Sequence, residues 1–161
     1  MLPPTGEPKP GEARLTAEGY YDYTADDFEL GEPCTPEILE RARKAGFNVT
    51  LPEAKPGFSG HHLLCSVTKP GVEPATISID DLGQTSKLRD NVNQELQQDG
   101  DLTWYIIYEN SPDFGICKAA IETATGGRGI MVAYDTLGQI KTAEEACDIA
   151  SSHLKLIILG G

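Results

Sequence analysis

No stretch of this chain approaches the ~18 consecutive apolar residues that a membrane-spanning helix needs, so a helical span is excluded. Positive charge is scarce. Lys and Arg number 13 against 25 Asp and Glu, a formal net charge of −12. Phosphate backbones and anionic headgroups are held by clustered Lys and Arg, which makes nucleic acid and an anionic lipid surface poor partners. The cysteines have no CxxC spacing, so neither a zinc ribbon nor a thioredoxin-type motif is supported. Histidine is sparse too. His61 and His62 are adjacent, and neighbouring side chains on a strand point to opposite faces, so they do not converge on one ion. His153, at the edge of an apolar helical face, reads as structural. No EF-hand spacing joins the carboxylates, and no internal repeat is found. Gly57-Phe58-Ser59-Gly60-His61 lacks the last glycine of a nucleophile elbow. Gly126-Gly127-Arg128-Gly129 leads into a strand pattern, where a phosphate loop needs a helix start. Asn48-Val49-Thr50 matches a glycosylation sequon but opens a short strand. These observations leave no catalytic residue, cofactor or metal ligand to name, and the chain reads as a non-enzyme.

What is present fits one domain of 161 residues, long enough to bury a real core. Residues 1–17 read as a flexible tether, because Pro and Gly dominate residues 3–12 and little there can be buried. Met1 leads straight into prolines without a signal-peptide pattern, so the expectation is either a cytosolic chain or a removed leader. Residues 1–33 carry a net charge of −6, half of the total. Within them Tyr20, Tyr21, Tyr23 and Phe28 alternate with Asp22, Asp26, Asp27 and Glu29. The residues read as an extended arm laid on the domain. Its candidate partner-binding residues are Tyr20, Tyr21, Tyr23, Asp26 and Asp27, an acidic aromatic surface for a basic partner. Should the arm be purely structural, the surface falls to the sheet around Trp104 and Tyr108.

The domain, residues 18–161, alternates helix and strand signals. Thr35-Pro36-Glu37 is a strong helix start, with Ile38, Leu39, Ala42 and Ala45 as its apolar stripe and Gly46 as its stop. Strands are predicted near Asn48, over 62–67, over 75–79, over 102–108, and over 116–123 with 130–134 as a hairpin joined by Thr125 to Gly129. A mostly polar covering helix is predicted from about Ser86 to Gln98, with Leu88, Val92 and Leu96 as its stripe. Thr142 to Glu145 forms a capping box for a helix through Cys147, Ala150, Leu154 and Ile157. Residues 156–159 fit helix or strand equally. The order suits an α+β domain, a mostly antiparallel sheet with helices packed against it.

Four cysteines, Cys34, Cys65, Cys117 and Cys147, allow three pairings. The sequential one is favoured, since each bond then joins a helix start to an inward-facing strand position across about 30 residues. Such a loop is worth ~3.6 kcal/mol on the chain-entropy estimate, a large share of the roughly 5–15 kcal/mol by which domains are stable.

Cys34-Thr35-Pro36-Glu37-Ile38-Leu39, Cys65 and Cys117 in strands, and Ala146-Cys147-Asp148-Ile149-Ala150 in a last helix resemble the actinobacterial lipoproteins of the domain of unknown function 3558 family. The likeness spans about residues 30 to 159. The family's second cysteine is often followed closely by tryptophan, where this chain has Ser66-Val67. The resemblance implies export, an N-terminal lipid anchor upstream of a tether, and a domain outside the membrane. It brings no activity and no catalytic residues. The expected function is a non-enzymatic binding or accessory module for another envelope protein or membrane complex. The alternatives are a carrier of a lipid or other apolar small ligand, and an enzyme of unrecognised type.

Overall fold

Thr35 starts the first helix much as its sequence dictates. In the computed structural model, which describes residues 9–17, 21–50, 62–80, 92–109 and 114–160, its hydroxyl accepts from the Ile38 amide at 3.4 Å. Helix α1 (Pro36–Lys44) follows, with Pro36 in its first turn and Ile38 and Ala42 buried. Gly46 ends it with φ +90°, and the Phe47 amide donates back to the Ala42 carbonyl at 2.9 Å.

The strands are β1 (Arg14–Leu15), β2 (Tyr21–Asp22), β3 (Asn48–Thr50), β4 (His62–Lys69), β5 (Val72–Asp80), β6 (Val92–Asp99), β7 (Leu102–Glu109), β8 (Phe114–Thr123) and β9 (Gly126–Asp135). β1 and β2 pair with each other. The remaining seven form one sheet in the order β3-β4-β5-β9-β8-β7-β6, with every neighbour antiparallel. After β5 the chain passes to the far edge, lays down β6, and meanders back until β9 lies beside β5.

Helix α2 (Ala143–His153) crosses β7, β8 and β9, while α1 packs on β3 and on the end of the chain. Thr142 caps α2: the Glu145 amide donates to its hydroxyl at 3.1 Å, while the Glu145 carboxylate accepts from the amide of Lys141, one residue before the cap, so the return bond of the expected box is displaced by one residue. Residues 156–158 extend the helix as part of a π-helical turn, Leu154–Ile158, which Leu159 caps. Arg41 donates from α1 to the Ile158 carbonyl at 2.8 Å, a cation on the carbonyl end of a helix.

Both helices cover the same sheet face, on which period-two alternation places the core residues of β4, β5, β7, β8 and β9. One row of that face reads Cys65, Ile77, Ile130, Ala119, Ile106 and Glu95. The first five are buried and the last is exposed. Cys34 is bonded to Cys65 and Cys117 to Cys147, so each disulfide ties a helix, or the chain just before its cap, to this covered face. The α+β architecture, the antiparallel sheet and the sequential pairing are therefore as the sequence indicates.

Three expectations are corrected. Residues 92–99 of the predicted covering helix are strand β6, and residues 86–91 lie outside the described ones. A strand wins because Asp99-Gly100-Asp101 closes a two-residue hairpin, Gly100 taking φ +61°. A glycine with positive φ at the first loop position is the type II′ signature, and the apolar β7 gains a full-length partner. The β8–β9 hairpin turns at Ala124-Thr125, and Gly126 to Gly129 belong to the strand. At Gly129 any Cβ would stand 2.5 Å from the Ala119 carbonyl oxygen, so glycine there permits close strand approach. Residues 9–17 are not free tether: Ala13 is buried, its amide donates to Ala124 O at 2.8 Å, and Arg14–Leu15 pair with Tyr21–Asp22. The arm is thereby fastened to the β8–β9 turn.

Candidate functional site

Beyond the edge of α2 the covered face of the sheet opens into a groove of about 780 Å³. Its floor is Trp104, Ile106 and Tyr108 on β7, its outer side Glu95 and Gln97 on β6, and its wall Ala143, Glu144, Cys147, Asp148, Ser151, Ser152 and Lys155 of the last helix. The groove exists because α2 sits over β7, β8 and β9 and leaves β6 uncovered. Between the helices and the centre of the sheet, by contrast, Ile77, Ile130, Leu154 and Ile157 fill the space and are wholly buried.

Trp104 is held from below and from the side. Its indole N–H donates to the Ser151 hydroxyl at 3.0 Å, and Lys155 Nζ lies 5.4 Å from its ring centroid. The disulfide from Cys117 to Cys147 fixes the helix over the neighbouring strand β8. Tyr108 is half-buried, and its hydroxyl meets Glu95 at 3.5 Å. Three carboxylates, Glu95, Glu144 and Asp148, line the groove, all on exposed residues. Lys155, the one lining cation among the described residues, is paired with Asp99 at 3.1 Å. The groove therefore presents an aromatic and aliphatic floor beneath a net negative rim. That combination suits a group with an apolar body and a positive head.

The arm is a different surface. Tyr23 is 6% exposed. Its hydroxyl donates to Thr123 O at 2.9 Å and accepts from the Thr123 amide at 3.2 Å, and Phe28 packs on its ring at 5.1 Å. Tyr23 is thus committed to the β8–β9 turn and is not offered to a partner. Tyr21 is half-buried in β2, and Asp26 and Asp27 are exposed in a turn closed by Phe28 N to Ala25 O. Tyr20 lies outside the described residues, as do His61 and the Gly57–Gly60 stretch. Asp22 is held below the usual carboxylate range by hydrogen bonds from the Thr24 hydroxyl and amide. None of the arm's described residues lines the groove.

Arg128 is the polar residue that sequence reasoning treated only as part of a glycine-rich turn. It sits on the covered face of β9, 7% exposed, and donates to the carbonyls of Glu32 and Pro33 at 2.7 Å each. Burial lowers its pKa, yet a guanidinium stays charged. Two carbonyls just before Cys34 thus receive one buried cation.

No family model, no curated protein and no solved structure matches this chain.

Proposed function

We propose that the protein is a non-enzymatic binding module working outside the cytoplasm, and that it captures a cationic segment of another envelope protein in the groove beside α2. The acid-rimmed aromatic groove carries this reading, because a floor of Trp104, Ile106 and the half-exposed Tyr108, flanked by three carboxylates, suits such a segment. Two disulfides are compatible with an oxidising compartment. A lipid attached upstream of residue 1, as in the lipoprotein family that the cysteine pattern resembles, would tether the module to the membrane. The filled space under the helices argues against a carrier with an enclosed chamber.

Trp104 is the only tryptophan of the chain, so its fluorescence reports on the groove floor directly. Titration with a capped (Lys-Val)4 peptide should quench or shift its emission saturably. Raising salt from 0.05 to ~0.5 M should weaken the response, since screening shortens the reach of exposed charges to a few ångströms. The triple change E95Q, E144Q and D148N should reduce affinity about tenfold or more. Equal binding by that variant would overturn the reading. A response to a fatty acid and none to the peptide would move the assignment to the small-ligand carrier.

A further inference from the structure

The two edges of the sheet are unlike. β3 has three residues and packs against α1. β6 has eight, about 27 Å of strand at ~3.4 Å per residue, and its side facing away from β7 is paired by no strand among the described residues. Long edges are usually blunted by proline, lysine or a bulge. β6 contains no proline and no lysine, and its register against β7 runs unbroken from Val92 to Asp99. Its charged residues, Glu95 and Asp99, are both acidic.

The polarity of that edge follows from the hairpin. Asp99 and Leu102 close a two-residue loop, and such a flanking pair exchanges both backbone hydrogen bonds. Hydrogen-bonded and non-hydrogen-bonded pairs then alternate, so Leu96 and Gln98 turn their N–H and C=O groups out of the sheet. The side chains between them, Glu95 and Gln97, line the groove. An open ladder and a side-chain groove thus share one strand, the arrangement that recognises an extended peptide by strand addition.

We propose that β6 accepts an extended basic segment of a partner protein as an eighth strand. The partner's backbone pairs with Leu96 and Gln98, and its alternate side chains reach over β6 into the groove. This rests on the groove reading above and specifies how the segment is held. Lysine or arginine on the inward face meets Glu95, Glu144 and Asp148, and aliphatic residues on the other face lie beside Leu96, which is 63% exposed. A second copy of this chain is the wrong occupant, because it would bring its own Glu95 and Asp99 against the same edge on a molecule of net charge −12.

Amide hydrogen exchange with and without capped (Lys-Val)4 tests the mode. The peptide should slow exchange at Leu96 and Gln98 at least tenfold while quenching Trp104. Leu96→Pro removes one outward donor, a change an edge strand tolerates, and should lower affinity about tenfold with the free protein's Trp104 spectrum unchanged. Should Leu96→Pro fail to fold, the exchange measurement decides alone. A salt- and carboxylate-dependent Trp104 response with no protection at Leu96 and Gln98 overturns strand addition and leaves the groove reading standing. No Trp104 response, or one indifferent to the three carboxylates, overturns both. Protection that appears without peptide and rises with protein concentration overturns the basic partner in favour of self-association.

Discussion

Arg128 places one buried guanidinium under two backbone carbonyls, those of Glu32 and Pro33. Replacing it with methionine keeps the aliphatic bulk and strands both Glu32 O and Pro33 O. We expect a loss of about 3 kcal/mol, seen as a lower urea midpoint at an unchanged slope. Arg128→Lys should recover only part of it, since an ammonium lacks the forked geometry. The sequence hid this residue because an arginine between glycines looks like a turn, and only the register of β9 turns it inward. His153 offers a pH-dependent counterpart. Its ring meets Phe47 edge-on at 5.0 Å, and Lys69 Nζ sits over the same phenyl at 5.4 Å. Burial, and then the charge of Lys69, hold its pKa below the ordinary 6.5. The unfolded chain therefore binds the proton first as pH falls. Stability from the neutral ring is complete above about pH 6.5 and drains away as pH drops through the folded pKa. Melting temperatures at pH 7.5 and 5.5 should differ more for the native protein than for His153→Phe.

At the level of elements, residues 9–17 are structural. Gly11 O accepts from the Glu29 amide at 2.9 Å, and Ala13 is buried against the β8–β9 turn. Removing residues 1–17 should cost about 2 kcal/mol more than removing residues 1–8, because paired backbone groups on the arm and the turn lose their partners. Equal melting temperatures for the two truncations would show that the arm holds without them. Composition concealed this docking, since one small alanine and a pair of backbone bonds leave no trace in hydropathy. The same limit explains β6. Asn93, Gln94, Gln97 and Gln98 supply no inward apolar period, and Val92 and Leu96 happen to fall four apart, the spacing of a helix. The Asp-Gly pair at 99–100 was the available strand signal. Where side chains decide locally, as at Thr35-Pro36-Glu37, at Thr142 with Glu145 and in the alternation of β4, β5, β7 and β8, the elements were legible. Trp104 and Tyr108 could be named as a reserve surface. The acids opposite them could not, because Glu95 reaches the groove through a strand taken for a helix, and Glu144 and Asp148 sit on a helix whose placement over β7 is a tertiary fact.

For the whole molecule the disulfides set the scale of stability. Their loops span 31 and 30 residues, worth about 3.6 kcal/mol each by loop entropy. Reduction should therefore unfold the protein or lower its melting temperature by well over 10 °C, roughly 2–4 °C accompanying each kcal/mol at this size. The paired variant C117A/C147A should also broaden the Trp104 response to peptide, whereas C34A/C65A should destabilise while leaving that response intact in the folded fraction, because only the first pair fixes the groove's helix. The pairing has a further meaning in time. The two covalent loops are neither nested nor crossed, and β5, β6 and β7 lie between them. A chain threaded N-terminus first into an oxidising space presents Cys34 and Cys65 before Cys117 has emerged, so at that moment the sole intramolecular bond on offer is the native one. The second bond forms later between the only two thiols left. Order of arrival alone then selects one connectivity of three, and maturation needs an oxidant but no reshuffling of wrong bonds.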